Sequence, residues 1–227
     1  MKEYIYKYET HCLTKEISWC GLSYAFELVD AYYRAGYSGI VITDHFFNGF
    51  CRVNALIDWH LRVRFFHAGY IKAKKHAEKY DGFSVFFGWE FNDHGTEFLT
   101  YGLDVNFLYN NPDLLSWSTE RYLNEVHKAG GFIIHAHPFR KWDYIGVLKY
   151  YPKQIDAVEV VNGGNYRANE VKFDVLALEY ARKLGLPGTK GTDCHDIREI
   201  KGDGILLKNK VQHFDELISA IKEGDFA

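Results

Sequence analysis

Short apolar runs alternate along the chain with longer stretches in which apolar positions recur every three or four residues. Ile40-Val41-Ile42, Ser84-Val85-Phe86-Phe87, Phe132-Ile133-Ile134 and Ala157-Val158-Glu159-Val160-Val161 predict buried strands. An aromatic, alternating opening (YIYKY) predicts another, ending at His11. Leu22, Ala25, Phe26, Val29 and Tyr32 share one helical face that stops at Gly36. Phe173, Leu176, Ala177, Tyr180 and Leu184 repeat the pattern up to Gly185, and Phe214, Leu217, Ile218 and Ile221 up to Gly224. Residues 52–79 read as mainly helical, and 104–117 as the least regular region, with a turn at NNPDLLSW. Apolar strands alternating with amphipathic helices predict βα units on a parallel sheet. No internal repeat or linker interrupts residues 1–227, so one domain is expected.

The polar residues that end these strands carry the functional signal. IVIT is followed by Asp44-His45, VFFGW by Glu90, and FII by His135-Ala136-His137-Pro138. AVEVV ends in Asn162, PGTKG runs into Thr192-Asp193-Cys194-His195, and the opening strand ends in His11. In a parallel barrel these carboxyl ends share one face, where the βα loops build the active site. Several acids and imidazoles on one rim suit Zn²⁺, Mn²⁺ or Fe²⁺, and a carboxylate such as Glu90 has two oxygens with which to bridge two ions. Such a cluster lowers the pKa of bound water and clamps the oxygens of a displacement, so hydrolysis is the expected reaction class.

Bulk composition narrows the alternatives. The 227 residues are 47% hydrophobic and 25% charged, which is globular, and the net charge of −3 argues against an overall basic field for nucleic acid. Arg62, Arg64, Lys72, Lys74 and Lys75 cluster on a helical stretch and read as a solvated face. Cys12, Cys20, Cys51 and Cys194 show no CxxC spacing, the start lacks a signal-peptide pattern, and no apolar run approaches a membrane span. A cytoplasmic protein with reduced thiols is the expectation, and oligomeric state is not readable.

Thr43-Asp44-His45, Gly88-Trp89-Glu90, Ala136-His137-Pro138 and Gly191-Thr192-Asp193-Cys194-His195 stand in the order of the motifs of the polymerase and histidinol phosphatase (PHP) domain family, which the chain resembles from residue 11 to residue 195. Glu9-Thr10-His11-Cys12-Leu13-Thr14 is similar to that family's first motif, Asp-Leu-His-x-His-Ser/Thr, with Leu13 in the place of its second histidine. The resemblance implies a distorted seven-stranded (β/α) TIM-like barrel, two or three divalent metal ions (Zn, Mn or Fe), and phosphoester hydrolysis. It implies His11 and Asp193 on one metal, Glu90 bridging to a second held by His137, and His45 with His195 on a third. Glu97 stands where the family often supplies a further histidine, and Cys20 replaces a third-metal histidine or is a structural thiol.

Phosphate recognition calls for cations near the rim. Arg140 is the leading candidate for substrate and catalysis, with Arg167 and Lys190 behind it. Asp44 is a candidate to orient His45 or to accept a proton from water, and Glu90 and Asp193 are the other catalytic candidates. His135 reads as a packed histidine. The leading expectation is a metal-dependent phosphoesterase acting on a small phosphorylated molecule. An amidohydrolase-type barrel cleaving C–N bonds and a non-catalytic barrel with a degraded metal site are the alternatives.

Overall fold

The computed structural model describes residues 3–141 and 147–227. Its strands are β1 (Tyr6–Cys12), β2 (Tyr37–Ile42), β3 (Ser84–Phe87), β4 (Trp89–Asp93), β5 (Thr96–Tyr101), β6 (Phe132–Ala136), β7 (Ala157–Asn162), β8 (Gly188–Gly191) and β9 (Ile205–Leu207). Its helices are α1 (Ala25–Arg34), α2 (Trp59–Phe66), α3 (Ala68–Ala77), α4 (Val105–Asn110), α5 (Thr119–Lys128), α6 (Gly163–Arg167), α7 (Lys172–Leu184) and α8 (Phe214–Glu223). The strands form two mixed sheets, ordered β3-β2-β1-β9 and β4-β5-β6-β7-β8.

The expected closed seven-stranded parallel barrel is therefore corrected to two open sheets among the described residues. One cause is the turn between β4 and β5. His94 and Gly95 both have positive φ (53° and 98°), the geometry of a two-residue hairpin, which forces β5 antiparallel to β4; β6 in turn pairs antiparallel with β5. The other is β9, which runs antiparallel to β1. The sheets meet at isolated parallel bridges, Cys12 with Cys194 and His45 with Glu90.

Elements with a clear apolar period form where expected. Helices α7 and α8 end at Gly185 and Gly224 in left-handed caps (φ 68° and 67°). In α1 the buried face is Ala25, Leu28, Val29 and Tyr32, while Leu22 and Phe26 are exposed, so the expected stripe is rotated. Residues 104–117 contain α4, started by the Asp104 carboxylate accepting from the Asn106 amide, and a short 3₁₀ turn. The run VFFGW is not one strand. It breaks at Gly88, and Glu90 becomes the second residue of a strand in the other sheet. A Cβ at Gly88 would lie 2.9 Å from the Thr100 carbonyl oxygen and 3.0 Å from the Tyr101 ring, so the chain crosses between sheets where only glycine fits.

Among the described residues, three clusters make up the interior. One, around Phe46, Phe66, Trp89, Phe98 and Tyr122, lies beneath the second sheet's edge, with the Trp89 indole donating to the Tyr122 hydroxyl at 2.7 Å. A second joins β5 and β6 to α8, and a third packs α1 and α3 on the first sheet. No helix among the described residues is long and apolar enough to cross a membrane. Gly88→Ala is expected to destabilise the fold by about 1–3 kcal/mol through overpacking against β5, measured as a lowered denaturant midpoint at unchanged slope.

Candidate metal centre

Glu90 lies at the middle of a buried group of imidazoles. Its Oε1 is 3.1 Å from His137 Nε2 and 3.3 Å from His11 Nε2, and its Oε2 is 2.7 Å from His45 Nδ1. Glu97, projecting from the neighbouring antiparallel strand, approaches His137 Nε2 to 3.5 Å and His45 Nδ1 to 4.0 Å. Asp193 Oδ1 is 3.6 Å from His11 Nε2 and 3.8 Å from His195 Nδ1. Cys20 Sγ is 3.1 Å from His45 Nε2 and groups with His45 and His195. Every residue suggested by the motifs as a metal ligand is thus brought to one place, although Glu90 and Glu97 arrive on a hairpin rather than on consecutive parallel strands.

Local backbone shape aims two of these side chains. His137 and Asp193 both adopt positive φ (27° and 51°), which takes them off the strand directions of β6 and β8. His135, still inside β6, consequently does not share the site. Its ring packs among Phe98, Tyr150 and Tyr180, and burial pushes its pKa down to about 3. Leu13 is fully buried, with its amide on the Cys194 carbonyl.

Glu159 was not among the expected site residues. It sits inside the apolar run of β7, where its Oε1 meets His11 Nδ1 at 3.0 Å and its Oε2 accepts from the His137 amide and the Asn162 side chain. Both oxygens are occupied in fixing its neighbours, so it orients His11 with Nε2 toward Glu90. A carboxylate in the middle of an otherwise apolar strand was the available signal, because burial without a partner is prohibitive. The pair fits because residue 191 is glycine: a Cβ there would stand 2.5 Å from Glu159 Oε1 and 2.7 Å from His11 Cβ.

Other expected residues take supporting positions. Both oxygens of Asp44 are used by the Thr14 amide and hydroxyl and the Ser18 hydroxyl (2.6–2.8 Å), and Ser18 Oγ in turn accepts from the His45 amide. Asp44 thus holds the 14–18 segment and His45 in place without lining the cleft. Arg140 does line it, and its guanidinium is anchored on Asp193 Oδ2 (2.9 Å), Asn165 Oδ1 (2.9 Å) and Asn162. Arg167 donates to the carbonyls of Thr192 and Asp193 and pairs with Glu199, so it braces the last motif. Lys190 alternates on β8 with Gly191, whose missing side chain faces Glu159, and so points to the opposite side of the sheet.

The cleft above Glu90 has a volume of about 170 Å³ and includes Cys20, His45, Phe50, Arg140 and His195 in its wall. Negative charge predominates there. Glu90, Glu97, Glu159 and Asp193 are all buried, and Arg140 is the permanent cation lining the cleft among the described residues. The imidazoles respond. Against the opposing effect of burial, Glu159, Asp193 and Glu90 hold His11 well above its usual pKa, and Glu90 does the same for His45. Reciprocally, and again despite burial, His11 and His45 hold Glu90 well below the usual carboxylate range, and His11 and Arg140 lower Asp193. Glu97 is raised by burial and by the charge of Glu90. His11 Nε2, His45 Nδ1 and Glu90 Oε2 are buried with no hydrogen-bond partner. Buried nitrogen and oxygen lone pairs that converge without hydrogen bonds, in a cluster with excess negative charge, fit divalent cations.

Known proteins are similar to this chain in part of its sequence and in its fold. Residues 175–226 match the profile of a PHP-associated family, PHP_C. A two-domain Bacteroides vulgatus protein, described as containing a predicted PHP-like metal-dependent phosphoesterase, superposes with a TM-score of 0.70 at 19% identity. The match covers 98% of this chain and 64% of that protein, so the chain spans under two thirds of its length. A Bifidobacterium adolescentis protein named as an inferred metal-dependent phosphoesterase matches over 95% of both chains (TM-score 0.57, 17% identity). A Chromobacterium violaceum amidohydrolase, solved with sulfate and no metal, matches over 83% of this chain and 87% of its own (TM-score 0.54, 14% identity). No curated protein sequence matches significantly. In motif order, fold and C-terminal segment the chain is PHP-like.

Cys20 provides a direct test of the cleft's electrostatics. Burial opposes ionisation, yet hydrogen bonds from His195 and His45 bring its thiol down to about 7, whereas burial lifts Cys51 to about 11. Cys12 and Cys194 are fully buried. Because the thiolate is the reactive form, alkylation of metal-free protein by iodoacetamide should modify Cys20 first, with its rate rising through a midpoint near pH 7. His195→Ala should move that midpoint upward, read by peptide mass spectrometry against pH.

Proposed function

We propose that the chain is a metal-dependent phosphoesterase that hydrolyses a small phosphorylated substrate, a phosphomonoester, at the cleft over Glu90. The observation that carries this reading is one buried carboxylate with its two oxygens divided among three imidazoles, two of which, His11 and His45, turn toward it ring nitrogens that lack hydrogen bonds. Two or three divalent ions (zinc, manganese or iron) would be held by His11, His45, Glu90, Glu97, His137, Asp193, His195 and Cys20. When bound, such ions supply Lewis acidity toward phosphoryl oxygens and a water that ionises near neutral pH.

The chain's own residues supply the remainder. Arg140 presents a permanent positive charge to the cleft and is locked by Asp193, Asn162 and Asn165, so it offers phosphate oxygens a preorganised partner. This guanidinium favours phosphate over a neutral amide as the group bound. Glu159 keeps His11 in one orientation, and the Asp44–Ser18 pair holds His45. Arg167 positions Asp193 by taking the carbonyls on either side of its peptide link. The 170 Å³ cleft suits a phosphoryl group better than a large ligand.

Purified protein should hydrolyse a chromogenic phosphomonoester when Mn²⁺ or Zn²⁺ is added, and Glu90→Ala should reduce the rate to background; equal rates in the two proteins would sink the reading. Glu159→Gln keeps the shape but removes the charge on His11, and should weaken metal affinity by roughly 10–100-fold. Isothermal titration with Zn²⁺ measures that loss, and an unchanged affinity would show that Glu159 has no orienting role.

A further inference from the structure

The two ring nitrogens of His45 face donors of opposite character. Nε2 is 3.1 Å from the Cys20 sulfur, whereas Nδ1 is 2.7 Å from Glu90 Oε2 and 4.0 Å from Glu97 Oε1. On the first side stand a thiol and two imidazoles: donor atoms of Cys20, His45 and His195 lie within 4.8 Å of one another. His195 is prepared for such a role, because its Nδ1 meets the Asp193 carbonyl oxygen at 2.8 Å, which leaves the lone pair on Nε2. Donors around a tetrahedral zinc ion stand roughly 3.3–3.6 Å apart, so small side-chain shifts bring this triangle to the spacing that zinc requires.

On the second side the donors are mainly carboxylates. Glu90 Oε1 and Glu97 Oε2 lie 3.1 Å and 3.5 Å from His137 Nε2. Asn92 sets the direction of Glu97: its side-chain amide donates to Oε1 at 2.8 Å and leaves Oε2 for His137. Asn92 is itself oriented, since its Oδ1 accepts from the Gly95 amide at 3.2 Å in the β4–β5 turn. Glu90, Glu97 and His137 thus form a set of donors without His45. A neutral imidazole has one lone pair, and that of His45 completes the thiol set through Nε2.

Thiolate with imidazole selects zinc, whereas carboxylates suit Mn²⁺. Building on the phosphoesterase reading, we propose that this centre sorts two different metals, Zn²⁺ onto Cys20, His45 and His195, and Mn²⁺ onto Glu90, Glu97 and His137. Zinc outranks manganese in raw affinity at either set, so the sorting is expressed when zinc is limiting. The thiol set then takes the zinc and the carboxylate set is left to manganese.

Cobalt reports the thiol directly, because a bound thiolate gives a sulfur-to-cobalt charge-transfer band in the near ultraviolet. Metal-free wild-type protein titrated with Co²⁺ should develop that band; Cys20→Ser should lose it and Cys51→Ser should keep it. Equilibrium dialysis against one equivalent of Zn²⁺ and an excess of Mn²⁺, followed by elemental analysis, then reads the sorting. Wild type should hold both ions, and Glu97→Gln should give up manganese while keeping zinc. Cys20→Ser should hold less manganese, because zinc moves onto the carboxylates. Circular dichroism of the metal-free variants reports that the fold is retained. Absence of the band in wild type, its persistence in Cys20→Ser, or ion contents that neither substitution changes would overturn the sorting while leaving the phosphoesterase reading intact. Failure of wild type to bind cobalt, zinc or manganese would overturn both.

Discussion

The carboxylate of Glu9 ties the two sheets together at the point where the site is built. It is fully buried, and its Oε1 accepts from the amides of Thr10 and His11 at the end of β1 and from the amide of Thr192 beyond β8. Its Oε2 takes the hydroxyls of Tyr32, from α1, and Thr192. Burial raises its pKa to about 7 in spite of these donors, which shows how strongly the interior resists the charge. With this knot and the bridge from Cys12 to Cys194, His11 and Asp193 face each other from segments some 180 residues apart, the separation of Glu9 and Thr192 (183) in this same knot.

From that junction the site follows as a problem in buried charge. Acidic residues converge from β4, β5, β7 and the segment after β8, and each must find a partner because an isolated carboxylate cannot be left in the interior. Imidazoles from the ends of β1, β2 and β6 meet Glu90, and Arg140 meets Asp193. The outer layer meets the same demand with hydroxyls and amides: Thr14 and Ser18 for Asp44, and Asn162 and Asn165 around Arg140.

His11, His45, His137, Asp193 and His195 stood out because they follow predicted strands within short motifs, and such positions can be recognised without knowing what lies across from them. Closure was not legible. A period-two apolar run has the same appearance whether its neighbour is parallel or antiparallel, and only the positive φ of His94 and Gly95 turned β5 back along β4. The partners of Arg167 and Asp44 were not legible for a related reason. A cation or an acid beside a motif looks available for substrate until its partners are known, and here those partners are the backbone of residues 192 and 193 and the hydroxyls of Thr14 and Ser18.

By itself the sequence determined where α1, α7 and α8 lie, most of the strands, and which acids and imidazoles follow them, since these depend on side-chain chemistry and local periodicity. Only the tertiary structure decided that the strands split into two open sheets and that Glu159 turns inward to hold His11. Strand pairing and facing are set by contacts between segments far apart in the chain, as with the 148 residues between His11 and Glu159, and no local pattern encodes them.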